Sequence, residues 1–193
     1  MTARAASHFA APGARSTRGL IFNLALFQIG WWALVLSAAQ GRPLIGLVIV
    51  ALILAWHLGL VRPLASEALL IGLAALIGLS FDSLLIATGW VSFGPPTPVA
   101  APTTALPPPW MVALWANFAT TLNLSLVGLQ SRPGLAALLG LVGGPLAYWG
   151  GASLGAMTFV SPLPALIALA LGWALLTPLL LTLAATLARR STP

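Results

Sequence analysis

Long apolar stretches, separated by short polar or proline-rich breaks, dominate the chain. Each stretch is close to the 20 or so residues that a helix needs to cross the hydrocarbon core of a bilayer. The pattern therefore predicts an all-α fold, a polytopic transmembrane helix bundle with six spans. The spans run approximately over residues 19–39, 44–61, 64–90, 110–129, 135–152 and 163–187.

Arginines at the edges of these stretches predict the topology. With the N-terminus in the cytoplasm, only Arg42 lies outside, and a bias of this kind towards the cytoplasmic side sets the orientation of most membrane proteins. We therefore expect a flexible basic cytoplasmic tail over 1–18, a single transmembrane domain over 19–190, and both termini in the cytoplasm. The arginines placed inside are Arg4, Arg15, Arg18, Arg62, Arg132, Arg189 and Arg190.

Composition narrows the class of protein further. Hydrophobic residues make up 60% of the chain and charged residues 5%, whereas soluble domains carry about 25% charged residues. The expected partner is the lipid bilayer, and nucleic-acid binding is disfavoured because the arginines flank apolar stretches. The absence of cysteine excludes disulfides and thiolate chemistry. Arginine without lysine is typical of GC-rich bacterial genomes and favours a bacterial inner membrane; the sequence does not set the oligomeric state.

Proline is concentrated in the predicted external loop over 91–109. A segment with this many prolines cannot form a helix and should be extended, with polyproline II character. Trp90 and Trp110 flank the loop, where indoles are expected to anchor at the membrane interface. We interpret the loop as a spacer, with a lid over an external cavity as the alternative.

Asp82 is one of only two acidic residues and lies within the third apolar stretch. A carboxylate at the centre of a bilayer costs roughly 2.5 to 3.5 kcal/mol on insertion scales, so it needs a partner or a role. Helical spacing places Asp82 on a stripe of small residues that includes Gly78, which predicts that it faces protein. A second stripe in the fifth stretch ends at Tyr148.

Depth along the helices brings several polar side chains into the same half of the membrane. Asp82 lies about 12 Å in from Trp90 at a rise of 1.5 Å per residue, and Asn117 and Tyr148 reach a similar depth. Two interpretations remain open: a site that handles a substrate or a proton, or a structural hydrogen bond between helices. The candidate intramembrane polar site consists of Asp82, Asn117, Tyr148, Thr121, Trp31 and Trp32.

A secondary inner cluster is expected on the cytoplasmic side from Glu67, His57 and Asn23, with Asn123 as a further candidate. Glu67 falls in the first turn of the third span, where a carboxylate complements the helix N-terminus, so we interpret it as a helix cap that can reach Arg62 or Arg132. One histidine and one glutamate do not make a metal site. We therefore expect no metal and no cofactor.

Several short motifs resemble a family of uncharacterised small polytopic bacterial inner-membrane proteins, classed as a domain of unknown function. Members of that family are encoded beside cyclopropane-fatty-acid-synthase-like enzymes and flavin-containing oxidoreductases. The resemblance implies a link to membrane-lipid modification or envelope stress, with lipid-modifying enzymes as partners. The motifs are Asn23…Phe27-Gln28-x-Gly30-Trp31-Trp32, Glu67 with Asp82, Pro109-Trp110…Trp115-x-x-Phe118-x-x-Thr121, and Gly143-Gly144-Pro145-x-x-Tyr148.

Three hypotheses for the function follow. The scarcity of reactive side chains and the resemblance favour a non-enzymatic partner or scaffold in membrane-lipid modification. The first alternative is a small transporter or lipid-handling protein with Asp82 as its protonatable site. The second is an intramembrane enzyme, which would require Asp82, Asn117 and Tyr148 to converge around a pocket.

Overall fold

A computed structural model describes residues 16–61, 63–93 and 106–190. Within these ranges the chain forms six α-helices, two short strands and one 3₁₀ turn. The helices are α1 (Thr17–Ala39), α2 (Pro43–Leu60), α3 (Leu64–Ala87), α4 (Pro109–Leu122), α5 (Pro133–Ser153) and α6 (Pro162–Arg190); the strands are β1 (Val91–Phe93) and β2 (Met157–Phe159), and the 3₁₀ turn is Val127–Leu129.

The helix boundaries follow from local sequence. Four helices, α2, α4, α5 and α6, begin with a proline, whose fixed φ angle suits the first turn and whose missing N–H removes no helical bond. The side chain of Ser16 caps α1 by accepting a 3.1 Å hydrogen bond from the Gly19 N–H. Gly89 and Gly155 follow α3 and α5 with positive φ angles of 71° and 86°, a conformation that glycine adopts without strain. Each leads into one of the strands.

Five of the described helices are long and apolar enough to cross a membrane: α1, α2, α3, α5 and α6. Their outward faces expose many large apolar side chains, among them Leu44, Leu84, Leu163 and Leu175. Apolar surface of this extent would be unfavourable in water and is expected against lipid. The structure therefore fits a membrane protein, and the placement of both termini in the cytoplasm stays a prediction.

The fourth apolar stretch differs from the prediction. We expected one helix over 110–129, but α4 has 14 residues and ends at Leu122, which gives it a length of about 21 Å. The chain then turns, and the amide of Gln130 folds back to donate to the Leu122 carbonyl and to Asn123 Oδ1, both at 3.0 Å. These side-chain hydrogen bonds satisfy the Leu122 carbonyl at the end of α4, so the chain can turn there instead of continuing as a helix.

Helix α4 lies at the centre of the bundle. Nine of its 14 residues are buried, and it packs against α1, α2, α3 and α6. Helix α5 packs mainly along α6 on the periphery. The short helix is thus largely enclosed by longer ones.

The two ends of the bundle differ in character. At one end, hereafter the sheet end, β1 and β2 pair antiparallel with Val91 opposite Phe159, which links the end of α3 to the α5–α6 connection. The other end, hereafter the arginine end, carries Arg18, Arg132, Arg189 and Arg190 among the described residues, while Arg42 lies at the sheet end. Of the expected extended loop, 91–93 forms β1 and 94–105 lies outside the described residues, as do residues 1–15 of the expected tail.

Candidate functional site

Asp82 is the centre of a fully buried hydrogen-bonded group in the half of the bundle nearer the sheet end. Its side chain has no solvent-exposed surface. Its Oδ2 atom accepts a 2.9 Å bond from the indole N–H of Trp115 on α4, and its Oδ1 atom accepts a 2.5 Å bond from the hydroxyl of Tyr148 on α5. Both donors point at the acid, so three helices meet at one carboxyl group. The expected contact between Asp82 and Tyr148 is present.

Glycines make this approach possible, as the two small-residue stripes predict. A Cβ atom on Gly78, one turn before Asp82, would lie 2.0 Å from Cγ of Trp115. A Cβ atom on Gly144, one turn before Tyr148, would lie 2.2 Å from Cγ of Trp173. Since real atoms do not approach so closely, only glycine lets the indole rings lie against the backbones of α3 and α5.

Trp173 completes the group and was missed by sequence reasoning. Its ring stacks on that of Trp115 with centroids 4.5 Å apart and an interplanar angle of 16°, and it lies edge-on to Tyr148 at 6.5 Å. The indole N–H of Trp173 makes no hydrogen bond of good geometry. A tryptophan in the middle of an apolar stretch, away from the interface where indoles usually anchor, was the available signal.

Asn117 does not join Asp82, contrary to expectation. Its amide N–H donates a 2.9 Å bond to the Phe27 carbonyl on α1, and its side chain packs where a Cβ on Gly30 would otherwise lie. Asn117 and Trp115 are two residues apart on α4 and so face different neighbours. Thr121, also on α4, donates to the Phe118 carbonyl at 2.7 Å rather than to a partner on another helix.

A lateral groove runs between α1 and α5, with α4 and α6 forming its floor. Its volume is about 550 Å³, and both Trp31 and Trp32 line it, together with Thr121. The other lining residues include Gln28, Gly143, Ala147, Gly150, Trp173 and Thr177. Because the groove lies between two apolar helices, it opens towards the surroundings of the bundle, which for a membrane protein are lipid.

A smaller pocket of about 70 Å³ lies next to the groove and reaches Tyr148 and Trp115. Trp31 lines both spaces. Its ring extends to α5, where a Cβ on Gly150 would lie 3.2 Å from it, and it packs edge-on against Trp32 with ring centroids 5.1 Å apart. The groove and the pocket beside the Asp82 group thus share the Trp31 ring in their walls.

The inner cluster at the arginine end joins three of its four expected members. His57 Nε2 on α2 lies 2.7 Å from Glu67 Oε1, and the Asn123 amide donates a 2.9 Å bond to Glu67 Oε2. Glu67 lies in the first turn of α3 as expected, but its carboxylate is fully buried and bonds His57 and Asn123. Arg132 is exposed at the start of α5, and Arg62 lies outside the described residues.

Asn23 lies at the same end but does not bond directly to His57 or Glu67. Its amide N–H donates to the Thr120 carbonyl at 3.2 Å, and its Oδ1 accepts a 2.7 Å bond from the hydroxyl of Ser125. Asn23 thereby ties α1 to the end of α4, where the helix breaks. In the described part of the chain, no cluster of three or more metal-ligating side chains occurs.

Comparison with known proteins adds a family but no function. Residues 20–179 match the family described as "Protein of unknown function (DUF2878)". The chain belongs to this family. No curated protein is detectably similar to the chain, and no solved structure is detectably similar to it either. The matched region of the DUF2878 chain contains the Asp82 group, the groove and the inner cluster.

In this DUF2878 protein, the Asp82–Tyr148 bond is expected to make a modest contribution to stability. Interhelical hydrogen bonds in membranes contribute about 0.6 kcal/mol on average and rarely exceed 2 kcal/mol, so Tyr148→Phe should lower the free energy of unfolding by about 1 kcal/mol. Reversible unfolding in mixed micelles would measure the change. In an Asp82→Leu background the same substitution should cause no further loss, and equal losses in both backgrounds would contradict the bond.

Proposed function

We propose that this protein handles a lipid-like molecule: it takes a hydrophobic ligand from the bilayer into the groove between α1 and α5. The observation that carries the proposal is the position of the groove, which opens sideways between two membrane-length helices and adjoins the pocket at Tyr148. A ligand of the bilayer can enter such a site without passing through water.

The volume of the groove suits a ligand with one hydrocarbon chain. Its volume of about 550 Å³ falls within the range of about 300 to 1,000 Å³ for small-molecule sites. A site of that size holds one drug-sized molecule. A ligand with two long acyl chains would leave one of them in the membrane.

The Asp82 group gives the site a polar end. Asp82, Tyr148 and Trp115 are joined through both carboxylate oxygens, and Tyr148 and Trp115 border the small pocket. A polar ligand atom that enters this pocket past Trp31 would meet the Tyr148 hydroxyl first. In this proposal Asp82 orients Tyr148, and it is the group through which a proton could be exchanged.

A partner role in membrane-lipid modification at a bacterial inner membrane remains a second proposal. It is favoured by the bonding of the two acids, Asp82 and Glu67, whose oxygens are engaged by neighbouring side chains and are not presented to the groove. A protein that holds a lipid without altering it could present that lipid to an enzyme. Untargeted lipid analysis of a deletion strain, complemented with wild type or with a groove-blocked variant, would test this role.

Filling the groove should abolish ligand uptake without harming the fold. A Cβ on Gly143 meets no atom within 4 Å, and Gly143 lines the groove, so the side chain of Gly143→Leu would project into it. We expect at least a tenfold loss of affinity for a fluorescent single-chain fatty acid in nanodiscs, equivalent to about 1.4 kcal/mol. The free energy of unfolding should stay the same or rise, since leucine favours helix over glycine.

Gly72→Leu is the matched control for that test. Gly72 also meets no atom within 4 Å of a built Cβ, but it lies on the exposed face of α3, away from the groove. This variant should bind the fatty acid as the wild type does. Equal affinity of both variants and wild type would mean that the groove is not the binding site.

A further inference from the structure

The groove contains a polar side chain that the fold leaves without a partner. Gln28 is the twelfth of the 23 residues of α1, so it lies at the middle of a membrane-length helix. Its side chain is exposed and lines the groove. Among the described residues, no hydrogen-bond partner of its amide is found. An amide in hydrocarbon without a partner is strongly disfavoured, so the position points to a ligand that supplies one.

One further polar group on α6, the hydroxyl of Thr177, lines the groove and makes no hydrogen bond, although Thr177 is only 1% exposed. The indole N–H of Trp173 also makes no hydrogen bond of good geometry, but it lies towards the Tyr148 hydroxyl, beside the Asp82 group. Threonine in a helix commonly donates to the carbonyl four residues earlier, yet Thr177 makes no such bond. The Thr177 hydroxyl therefore lies in the groove wall with its hydrogen-bonding capacity unused.

The chemistry of these groups indicates what the ligand offers. The Gln28 amide and the Thr177 hydroxyl can each donate as well as accept. A ligand that brings acceptor oxygens satisfies the donors of both. It must also be soluble in hydrocarbon, which disfavours ionised carboxylates and phosphates at this depth. Among the neutral acceptors, a carbonyl oxygen offers two lone pairs and brings no donor of its own.

The shape of the groove adds a second requirement. Aromatic side chains form much of its wall: Phe27, Trp31, Trp32, Phe118 and Trp173. Aromatic rings pack best against other flat rings, stacked with an offset or edge to face. A chain alone would fill the volume but would not use these faces.

We propose that the ligand is a membrane-soluble ring compound with carbonyl oxygens and a hydrophobic tail, which is the chemistry of prenylated quinones. The ring lies beside Gln28, a carbonyl oxygen accepts from its amide, and the tail follows α5. This inference rests on the proposed function, because it names the class of ligand that the same groove takes. It involves binding only and no transfer of electrons.

Two probes of equal tail length test the inference. The full-length protein in nanodiscs of saturated phosphatidylcholine is titrated with a benzoquinone that carries a ten-carbon alkyl chain, and with decylbenzene, which lacks oxygen. The quinone should bind at least tenfold more tightly. Gln28→Leu should remove that difference by weakening quinone binding about tenfold, the effect of one lost hydrogen bond, while leaving decylbenzene unchanged. Ile29→Ala, at a neighbouring exposed residue outside the groove, should change neither affinity.

Each contrary result has a distinct meaning. Equal affinities for the two probes, both abolished by Gly143→Leu, would overturn the choice of ligand and leave the proposed function intact. Binding of neither probe, together with failure of the fatty acid to bind, would overturn both. If Gln28→Leu instead disrupts a dimer detected by crosslinking and leaves quinone affinity unchanged, the amide pairs with a second copy of the chain and the inference is wrong.

Discussion

Gly78→Ala is expected to lower the free energy of unfolding by about 2 to 4 kcal/mol, because the added methyl group would overlap the Trp115 ring and displace it from Asp82. The built Cβ lies 2.0 to 2.2 Å from three ring atoms, and the ring is held in place by its stacking on Trp173 and by its bond to Asp82. The indole therefore has little room to yield. Steric trapping or denaturant unfolding in mixed micelles measures the loss.

Gly72→Ala serves as the control on the same helix. Its Cβ meets open space, so this substitution should be neutral or stabilising by up to about 1 kcal/mol. The Asp82 group also supplies an internal check: in a Trp115→Leu background, Gly78→Ala should lose most of its effect because the obstructing ring is gone. An equal loss in both backgrounds would show that Gly78 matters for another reason.

Glu67→Ala is expected to destabilise the protein by about 3 to 5 kcal/mol, because it leaves two buried polar groups without their partner and each such group costs about 1 to 3 kcal/mol. The substitution leaves the His57 ring and the Asn123 amide, both buried, without the carboxylate oxygens that they contact at 2.7 and 2.9 Å. The end of α4 should loosen at the same time, since Asn123 also accepts from Gln130. Hydrogen exchange in the 123–130 segment would detect that loosening.

Glu67→Gln separates the effect of the lost hydrogen bonds from the effect of the lost side-chain volume. The amide keeps the size of the side chain and one acceptor oxygen, so it should cost clearly less than the alanine. A double-mutant cycle between His57→Leu and Glu67→Leu should give a coupling energy of at least about 1 kcal/mol. Strict additivity of the two changes would contradict the bond and would restore Glu67 to the helix-capping role that the sequence first indicated.

The apolar stretches predicted most of the fold because a spanning helix has one simple requirement, a long run of apolar residues. The bounds of α1, α2 and α5 lie within two residues of expectation. The prediction failed at α4, where the length of the apolar run gave no sign of a break. Gln130 and Asn123 end that helix through side-chain bonds, and such bonds depend on how the chain turns rather than on hydropathy.

The candidate site was predictable where helical spacing sufficed. The stripes through Gly78 and Gly144 correctly placed Asp82 and Tyr148 in the protein interior. Equal depth made Tyr148 a candidate partner of Asp82, and the structure shows their contact. Asn117 could not be placed in the same way, because spacing gives the face of a helix but not its neighbour. Helix α4 is enclosed by other helices, so its Trp115 and Asn117 faces turn to α3 and α1 respectively.

The burial of Glu67 and the presence of the groove could not be predicted from helical spacing. The first turn of a helix is usually exposed, and Glu67 is buried because the chain following α4 turns beside it and brings in Asn123. The groove lies beside the point where Trp31 reaches from α1 to Gly150 on α5. Neither feature has a local sequence pattern, since each depends on which helices become neighbours.

Photo-crosslinking in nanodiscs tests the central claim, that the groove takes a ligand from the bilayer, most directly. A lipid with a diazirine in its acyl chain is activated, and the adducts are mapped by mass spectrometry. We expect saturable labelling of the 143–147 segment of α5 and of Trp31 and Trp32, lost in Gly143→Leu, above the labelling of the exposed α2 residues Leu44, Val48 and Leu52. Labelling that is equal at both places and does not saturate would contradict the claim.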